Sequence, residues 1–269
     1  MDDEVVREMR NTYDRYFQSH GYRERYPVPN PATLDYVLRH GALRAAHILD
    51  FGCGNGRYAL ALLARTGARL TGFDISESSL QEFAHCLRGT PYEERVTIVG
   101  GDLFKLGGTG IETGYDLVLM LFGVLSHLGD RATRIDTLRR LRERMRPGGR
   151  LILSVPSLYR RRPMELCRHA CARRLGRARP PQHEAGNIYF VRHVHGERLR
   201  FFYHLYTVPR LRNELRMAGF ILRDWEAESV FPEWWLMRSP RLQRLDRRLS
   251  GWIAPSLGYG IRALAEPLG

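Results

Sequence analysis

Lysine is nearly missing from this chain: Lys105 is the only one among 42 basic residues in 269. A GC-rich codon bias accounts for arginine standing in for lysine, but not for where the arginines fall. No run of about 18 apolar residues occurs, which excludes a membrane-spanning helix. The opening Asp2-Asp3-Glu4 has the wrong charge for a secretory signal. Four cysteines are too few for a disulfide scaffold at this length, so a reducing cytoplasm is the expected compartment. What is present is a core: apolar residues at 43% and charged residues at 26% exclude bulk disorder. The length suits one large α/β domain with insertions, or two small domains.

Val5, Val6, Met9, Tyr13, Tyr16 and Phe17 have amphipathic-helix spacing over residues 3–19. Asn30 as N-cap, Pro31 at the first helical position and Gly41 punctuate a second helix. Strands are then predicted at 47–51, 69–73, 96–99, 115–121 and 150–155, with helices at 58–66, 77–88 and 131–145. A Pro147-Gly148-Gly149 turn precedes the fifth strand. Such alternation predicts a parallel sheet covered on both faces. After Pro156 the pattern changes. Residues 157–182 read as an arginine-rich insertion or mobile segment, and 187–206 as a hairpin turning at His195-Gly196. Thr207 caps a helix ending at Gly219, and strands at 220–230 and 257–265 flank a second insertion from Trp234 to Pro255.

A strand, a glycine-rich turn and a helix together offer free backbone N–H groups to a ligand. Here the glycines are Gly52, Gly54 and Gly56, and Arg57 stands where a dinucleotide fingerprint needs its third glycine. Asp50, just before the turn, would repel a pyrophosphate and suits a cationic or zwitterionic ligand. A dehydrogenase is disfavoured.

The run from Leu49 to Tyr58, Leu-Asp-Phe-Gly-Cys-Gly-Asn-Gly-Arg-Tyr, resembles the first motif of the class I S-adenosylmethionine-dependent methyltransferases. The resemblance continues through Gly72–Ser76, Gly101–Phe104, Tyr115–Val124 and Met145–Leu153. It implies an α/β, Rossmann-like seven-stranded mixed sheet with helices on both faces and the last strand antiparallel. The corresponding division is an N-terminal helical cap over 1–45 and a methyltransferase domain over 46–269, with insertions at about 157–206 and 231–256. The implied cofactor is S-adenosyl-L-methionine, with S-adenosyl-L-homocysteine as product and no metal. Gly52, Gly54 and Gly56 would let the backbone approach its methionine part. Cys53 and Asn55 belong to the same loop, where a cysteine is common without catalytic meaning. Asp50 would organise the loop and reach the amino group through water. Asp74, followed by Ile75, would accept from both ribose hydroxyls, the alternative being a strand-end helix cap. Asp102 would accept from the adenine amino group, with the Leu103 backbone on the ring edge, and Leu121 would lie where the methyl faces.

Methyl transfer needs an aligned nucleophile and a dry pocket, and only sometimes a base. The acceptor side is expected near Leu121–His127, with Phe122 and Tyr203 as substrate contacts. His127 and His204 are the candidate bases; for each the alternative is a structural hydrogen bond. Tyr13 and Tyr16 would close over the cofactor as a lid, or simply pack. The Phe201–Tyr206 box is similar to one in tRNA wobble-uridine carboxymethyl methyltransferases and to quinone-biosynthesis-type methyltransferases, and does not choose between them. No Asn/Asp-Pro-Pro-Tyr segment and no cysteine after a proline occur at the fourth strand, which argues against adenine, glutamine and 5-methylcytosine chemistry. A single lysine rules out the Lys-Asp-Lys-Glu tetrad of ribose methylation. Cys167 and Cys171 lack a fourth metal ligand.

All the excess charge of +13 lies between Arg131 and Arg179, where 16 arginines face three acids, Asp136, Glu143 and Glu165. Three readings stand. Arg131–Arg150 is a solvated helix face with Ile135, Leu138, Leu141 and Met145 inward; or Arg160–Arg179 binds RNA phosphates; or that segment and Trp234–Trp252 lie on an anionic membrane surface, a peripheral location at the inner face. The preferred function is methyl transfer to an O or N atom of a small, lipophilic or anionic acceptor. The alternatives are a tRNA wobble-uridine methyltransferase and a non-catalytic cofactor-binding or membrane-surface regulator.

Overall fold

His47–Phe51 (β1) is buried at every residue after its first, as a central strand covered on both faces must be. In the computed structural model, which describes residues 4–101, 113–177 and 184–268, β1 pairs in parallel with β2 (Arg69–Asp74) and β4 (Tyr115–Met120). β3 (Val96–Gly100) lies beyond β2, and β5 (Met145–Pro156) beyond β4, both parallel. The hairpin β6 (Asn187–Val194) and β7 (Glu197–His204) forms a sheet of its own. β8 (Phe220–Ser229) and β9 (Gly260–Pro267) complete a seven-stranded mixed sheet ordered 3-2-1-4-5-9-8, with β9 antiparallel to both neighbours. The expected sheet is therefore present.

Side chains alternate across the strands, so each sheet face has its own core. Leu49, Val118, Leu151 and Leu153 meet Ile135, Leu138 and Leu141 of α6 (Arg131–Arg142) and Leu211 and Leu215 of α8 (Val208–Met217). On the opposite face Ile48, Leu117, Leu119 and Ile152 meet Leu62 of α4 (Arg57–Leu63) and Phe83 of α5 (Glu77–Leu87). Asn30 caps α3 (Pro31–Val37) as expected, its side chain accepting from the Ala32 and Thr33 amides.

The α6 region departs from expectation twice. The helix ends at Arg142, and Met145 already opens β5, so the Pro147-Gly148-Gly149 segment lies within the strand. The Arg144 carbonyl accepts from the Gly114 and Tyr115 amides, which draws the chain into the sheet early. Arg134, expected on a solvated face, is fully buried: it donates to both carboxylate oxygens of Glu214, to Glu184 and to the Gly129 carbonyl.

Above the C-terminal ends of the strands lie α1 (Glu4–Gln18), α2 (Gly21–Arg25), α7 (Pro163–Arg174) and the β6–β7 hairpin. Its turn, His195 and Gly196, has φ +48 and +84, the paired left-handed conformation that a two-residue hairpin requires. Tyr16, Phe17 and Tyr22 share one apolar cluster with Ile188, Phe190 and Phe201 of the hairpin. Residues 231–256 hold α9 (Glu233–Leu236) and α10 (Pro240–Ser250). Among the described residues no helix is long and apolar enough to cross a membrane.

Candidate active site

Between β1 and α4 the chain turns through Gly52, Gly54 and Gly56 at φ +84, +55 and +75, where only glycine is unstrained. Added Cβ atoms explain them differently. At Gly56 a Cβ would lie 2.1 Å from the Phe83 ring, and at Gly52 2.3 Å from Val124, so both also serve packing. At Gly54 it would point toward Phe17, 3.4 Å away. Cys53 is buried, its thiol pushed up by burial and then by Asp74 and Asp50, while Asn55 donates to Glu82 at 3.1 Å. These two support the loop from behind.

Two acids underlie it. Asp74 is a backbone anchor, accepting from the Gly54 amide at 2.8 Å and the Ser76 amide at 2.9 Å, and burial holds its carboxyl above the ordinary range. Ser76, not Asp74, caps α5. Asp50 is buried with Oδ2 lacking any hydrogen-bond partner; burial first and Asp74 second push its carboxyl up to about 7. A buried, under-satisfied carboxylate beside another is a site that a cation relieves.

Gly52, Gly54, Asp74, Ile75, Leu121 and Phe122 line one side of a cavity here. The other side is α1, through Val6, Met9, Tyr13 and Phe17. α1 is fastened across the strand ends: Asp14 accepts from the Ser76 hydroxyl at 2.7 Å, and Arg10 donates to the Gly101 carbonyl at 3.3 Å. His127 closes the far wall, Nε2 at 2.8 Å from the Tyr13 hydroxyl and Nδ1 at 2.8 Å from the Phe202 carbonyl. Burial, reinforced by Arg192 and Arg161 against the Phe202 contact, lowers its pKa to about 3.

Phe122 adopts φ +62, uncommon for a bulky residue, and its amide donates to the Ser154 hydroxyl at 2.8 Å. Behind its ring, 4.7 Å from the centroid, stands the buried Arg57 guanidinium, which donates to Glu233 at 2.9 Å. Beyond Phe122 is a second, more polar cavity lined by Arg161, Arg192, Tyr203, Glu228, Trp234 and Tyr259.

Thus Tyr13, Gly52, Gly54, Asp74, Ile75, Leu121, Phe122 and His127 come together in the first cavity, and Tyr203 lines the second. Tyr16 instead packs under the hairpin against Phe201, with its ring centroids 5.6 Å apart. His204 lies outside both cavities: Nδ1 meets the Asn187 side-chain oxygen at 2.6 Å, and burial together with Arg134, Arg210 and Arg131 lowers its pKa to about 2. That is a structural histidine's environment. With Glu184 and Glu214 it makes, among the described residues, a trio of possible metal ligands within 4.8 Å, but both carboxylates are already ion-paired with Arg134. Cys167 and Cys171 are exposed, and His169 between them accepts from the Tyr189 amide at 3.2 Å. Asp102 and Leu103 lie outside the described residues. Phe17 lines the first cavity and is passed over by the sequence reading, although its helical spacing from Tyr13 signals it.

A family model described as a methyltransferase domain matches residues 49–151. The ubiquinone biosynthesis O-methyltransferase of Alkalilimnicola ehrlichii is 36% identical over 126 residues, 46% of this chain and 48% of that protein. Methyltransferase GfsG of Streptomyces halstedii is 27% identical over 138 residues, 47% of this chain and 48% of that one. The chain spans about half the length of these curated relatives. Among solved structures, the 1,6-didemethyltoxoflavin-N1-methyltransferase of Burkholderia thailandensis, with S-adenosylhomocysteine bound, superposes with a TM-score of 0.61 at 21% identity, over 99% of this chain and 90% of that one. The CcbJ methyltransferase of Streptomyces caelestis gives 0.61 at 18%, over 90% and 91%. Both show the same fold.

Proposed function

We propose, for a chain that belongs to the class I S-adenosylmethionine-dependent methyltransferase superfamily, the transfer of a methyl group to an oxygen or nitrogen of a small-molecule acceptor. The observation that carries this reading is the acid pair beneath the glycine loop: Asp74 lines the cavity, and Asp50, behind it, leaves Oδ2 buried without a partner. That donor set fits a ligand with a sulfonium and an ammonium, and disfavours a phosphate. S-adenosylmethionine, when bound, supplies an activated methyl on a cationic sulfur. Gly52 and Gly54 would face its methionine part, Asp74 its ribose, and Leu121 its methyl. Asp102 and Leu103 are proposed for the adenine.

The remaining work falls to the chain's own groups. α1 presents Val6, Met9, Tyr13 and Phe17 and keeps water from the cavity. The Phe202 carbonyl can only accept, so His127 carries its hydrogen on Nδ1 and accepts the Tyr13 hydroxyl on Nε2. At a pKa of about 3, His127 is no store for a proton at neutral pH; it positions Tyr13. Neither His127 nor Tyr13 would take up the acceptor's proton at neutral pH, so transfer would need an acceptor atom that binds already deprotonated or sheds its proton at the cavity mouth. The cap over 1–45 and the insertion over 157–206 are proposed as the joint cover of this site, over the catalytic domain of 46–269 with its second insertion at 231–256.

A small acceptor is favoured because the first cavity is walled by α1 through the apolar and aromatic Val6, Met9, Tyr13 and Phe17. Within Arg131–Arg150, Arg134 and Arg140 are ion-paired, Arg139 donates to the Met217 carbonyl, Arg146 pairs with Asp116, and Arg150 donates to the His40 carbonyl. The test is incubation with methyl-tritiated S-adenosylmethionine and an extract of the host cell. Label in low-mass or organic-soluble material is expected. Label that RNase removes would replace this reading with RNA methylation.

A further inference from the structure

Phe122 faces both cavities, and Tyr203, on the second, has its ring centroid 4.7 Å from that of His127, on the first, the planes tilted by 48°. Whatever occupies the second cavity is therefore one side chain away from the proposed methyl site. The charge of its lining is unbalanced. Arg161 rests on the faces of Tyr259 and Tyr203, 4.6 and 5.2 Å from their centroids, and among the described residues its guanidinium has one hydrogen bond, 3.4 Å long, to the Tyr203 hydroxyl. Arg192 rests on Phe201 and Phe190 at 5.0 and 5.4 Å, donates to the Tyr16 hydroxyl at 3.4 Å, and leaves its buried Nε without a partner. Among the described residues neither guanidinium has a carboxylate within 4.0 Å.

The other charges of the lining do not supply one. Glu233 is held by Arg57 at 2.9 Å, and Arg162 by Glu165 at 2.9 Å. Arg25 donates to the Tyr26 hydroxyl and stacks on Trp234. Glu228 also faces the cavity; burial, and then Glu233, push its carboxyl up to about 6 against Arg262 and Arg161, so it is ionised at neutral pH, but it makes no ion pair with either guanidinium among the described residues. Tyr26 reports the net sign: burial alone would raise its phenol, yet Arg192, Arg25 and Arg161 reverse that and lower it. Aromatic faces position a guanidinium but do not satisfy its fork of donors; an oxyanion accepting two parallel N–H groups does.

We propose that Arg161 and Arg192 bind an anionic group of the methyl acceptor, a carboxylate or phosphate carried on a planar ring that stacks between Phe122 and Tyr203. The anion fixes the far end of the molecule, so the atom to be methylated points past Phe122 into the first cavity. The acceptor role, though not the anion site itself, rests on the methyltransferase reading.

The experiment titrates the full chain, saturated with S-adenosylhomocysteine in 0.15 M salt, with benzoate, phenyl phosphate and the neutral isostere benzamide, followed by calorimetry and by tryptophan fluorescence, to which Trp234 of the cavity contributes. At least one anion is expected to bind about tenfold more tightly than benzamide. Arg161→Gln and Arg192→Gln are each expected to lose about tenfold for that anion, with S-adenosylhomocysteine affinity unchanged. Arg161→Lys keeps the charge but not the fork, and should lose less than Arg161→Gln. The tighter of the two anions names the group. The comparison of benzoate with benzamide on the unaltered chain needs no variant to fold. Equal binding of all three probes, no saturable binding of either anion, or anion binding unaffected in both glutamine variants would overturn the proposal. If S-adenosylhomocysteine fails to bind while arginine-dependent anion binding persists, the methyltransferase reading falls and the anion site stands.

Discussion

The Tyr13 hydroxyl lies 2.8 Å from His127 Nε2, which joins the first helix of the chain to the turn after β4, 114 residues away. Because Nδ1 meets a carbonyl, one tautomer satisfies both contacts. Burial holds His127 near 3, so it should remain neutral from pH 8 to pH 5. Nitrogen-15 NMR of the imidazole is expected to show the Nδ1–H form across that range. A His127 that titrates near 6.5 would refute the closed geometry.

Asp50 should make the protein less stable as pH rises. Unfolded, it ionises near 3.8; folded, it keeps its proton to about 7. The folded state thus binds the extra proton between those values, and stability from this group is lost as pH climbs through them. Asp50→Asn should raise Tm at pH 8, change it little at pH 4, and weaken S-adenosylmethionine binding. Thermal melts across pH decide it, and a lower Tm at pH 8 would contradict the assignment.

Asp74→Ala should weaken S-adenosylmethionine binding at least tenfold, since a hydrogen bond to a charged group contributes about 1.5–3 kcal/mol. It also strips the Gly54 and Ser76 amides of their acceptor, so the loop itself should loosen. Calorimetric titration that finds unchanged affinity removes Asp74 from the site.

The Arg57–Glu233 pair is buried, so removing one partner strands the other charge. Arg57→Ala should cost about 3–5 kcal/mol in urea unfolding, while replacing both by apolar residues of similar size should recover most of it. Equal losses in the single and double variants would show that the pair is not coupled.

Gly56→Ala meets both a positive φ and the Phe83 ring, and should lose about 1–3 kcal/mol. Gly67→Ala, with nothing within 4 Å and no such φ, should be near neutral by the same urea assay. Similar stability of the two variants would mean that the loop relaxes freely.

The sheet was legible because its signals are local. Periods of two and three to four residues mark the strands and helices, and His195-Gly196 marks the hairpin turn by conformation alone. The glycine loop with Asp50 and Asp74 was legible for the same reason. What stayed hidden depends on distant partners. Arg134 reads as solvated until Glu184 and Glu214, 50 and 80 residues on, are folded beside it. Tyr16 and Phe17 are equally good helical neighbours of Tyr13, at three and four residues, and only the hairpin decides which one meets the cavity. His127 and His204 look alike in sequence; the Tyr13 hydroxyl and the Asn187 side chain separate them.

α1 is made long before the hairpin it packs against. Its Thr12 hydroxyl bonds to the Arg200 carbonyl, 188 residues later, and Met9 lies against Phe202. At about 5–20 residues per second, the ribosome needs roughly ten to forty seconds to deliver that hairpin. For that interval Val5, Met9 and Tyr16 lack the cover of Tyr189, Phe202 and Phe201, although Ser76 and Gly101 can already hold the helix through Asp14 and Arg10. A nascent chain stalled before residue 187 should therefore show an apolar N-terminal helix to whatever the cell keeps at the exit tunnel, and hide it once the hairpin emerges.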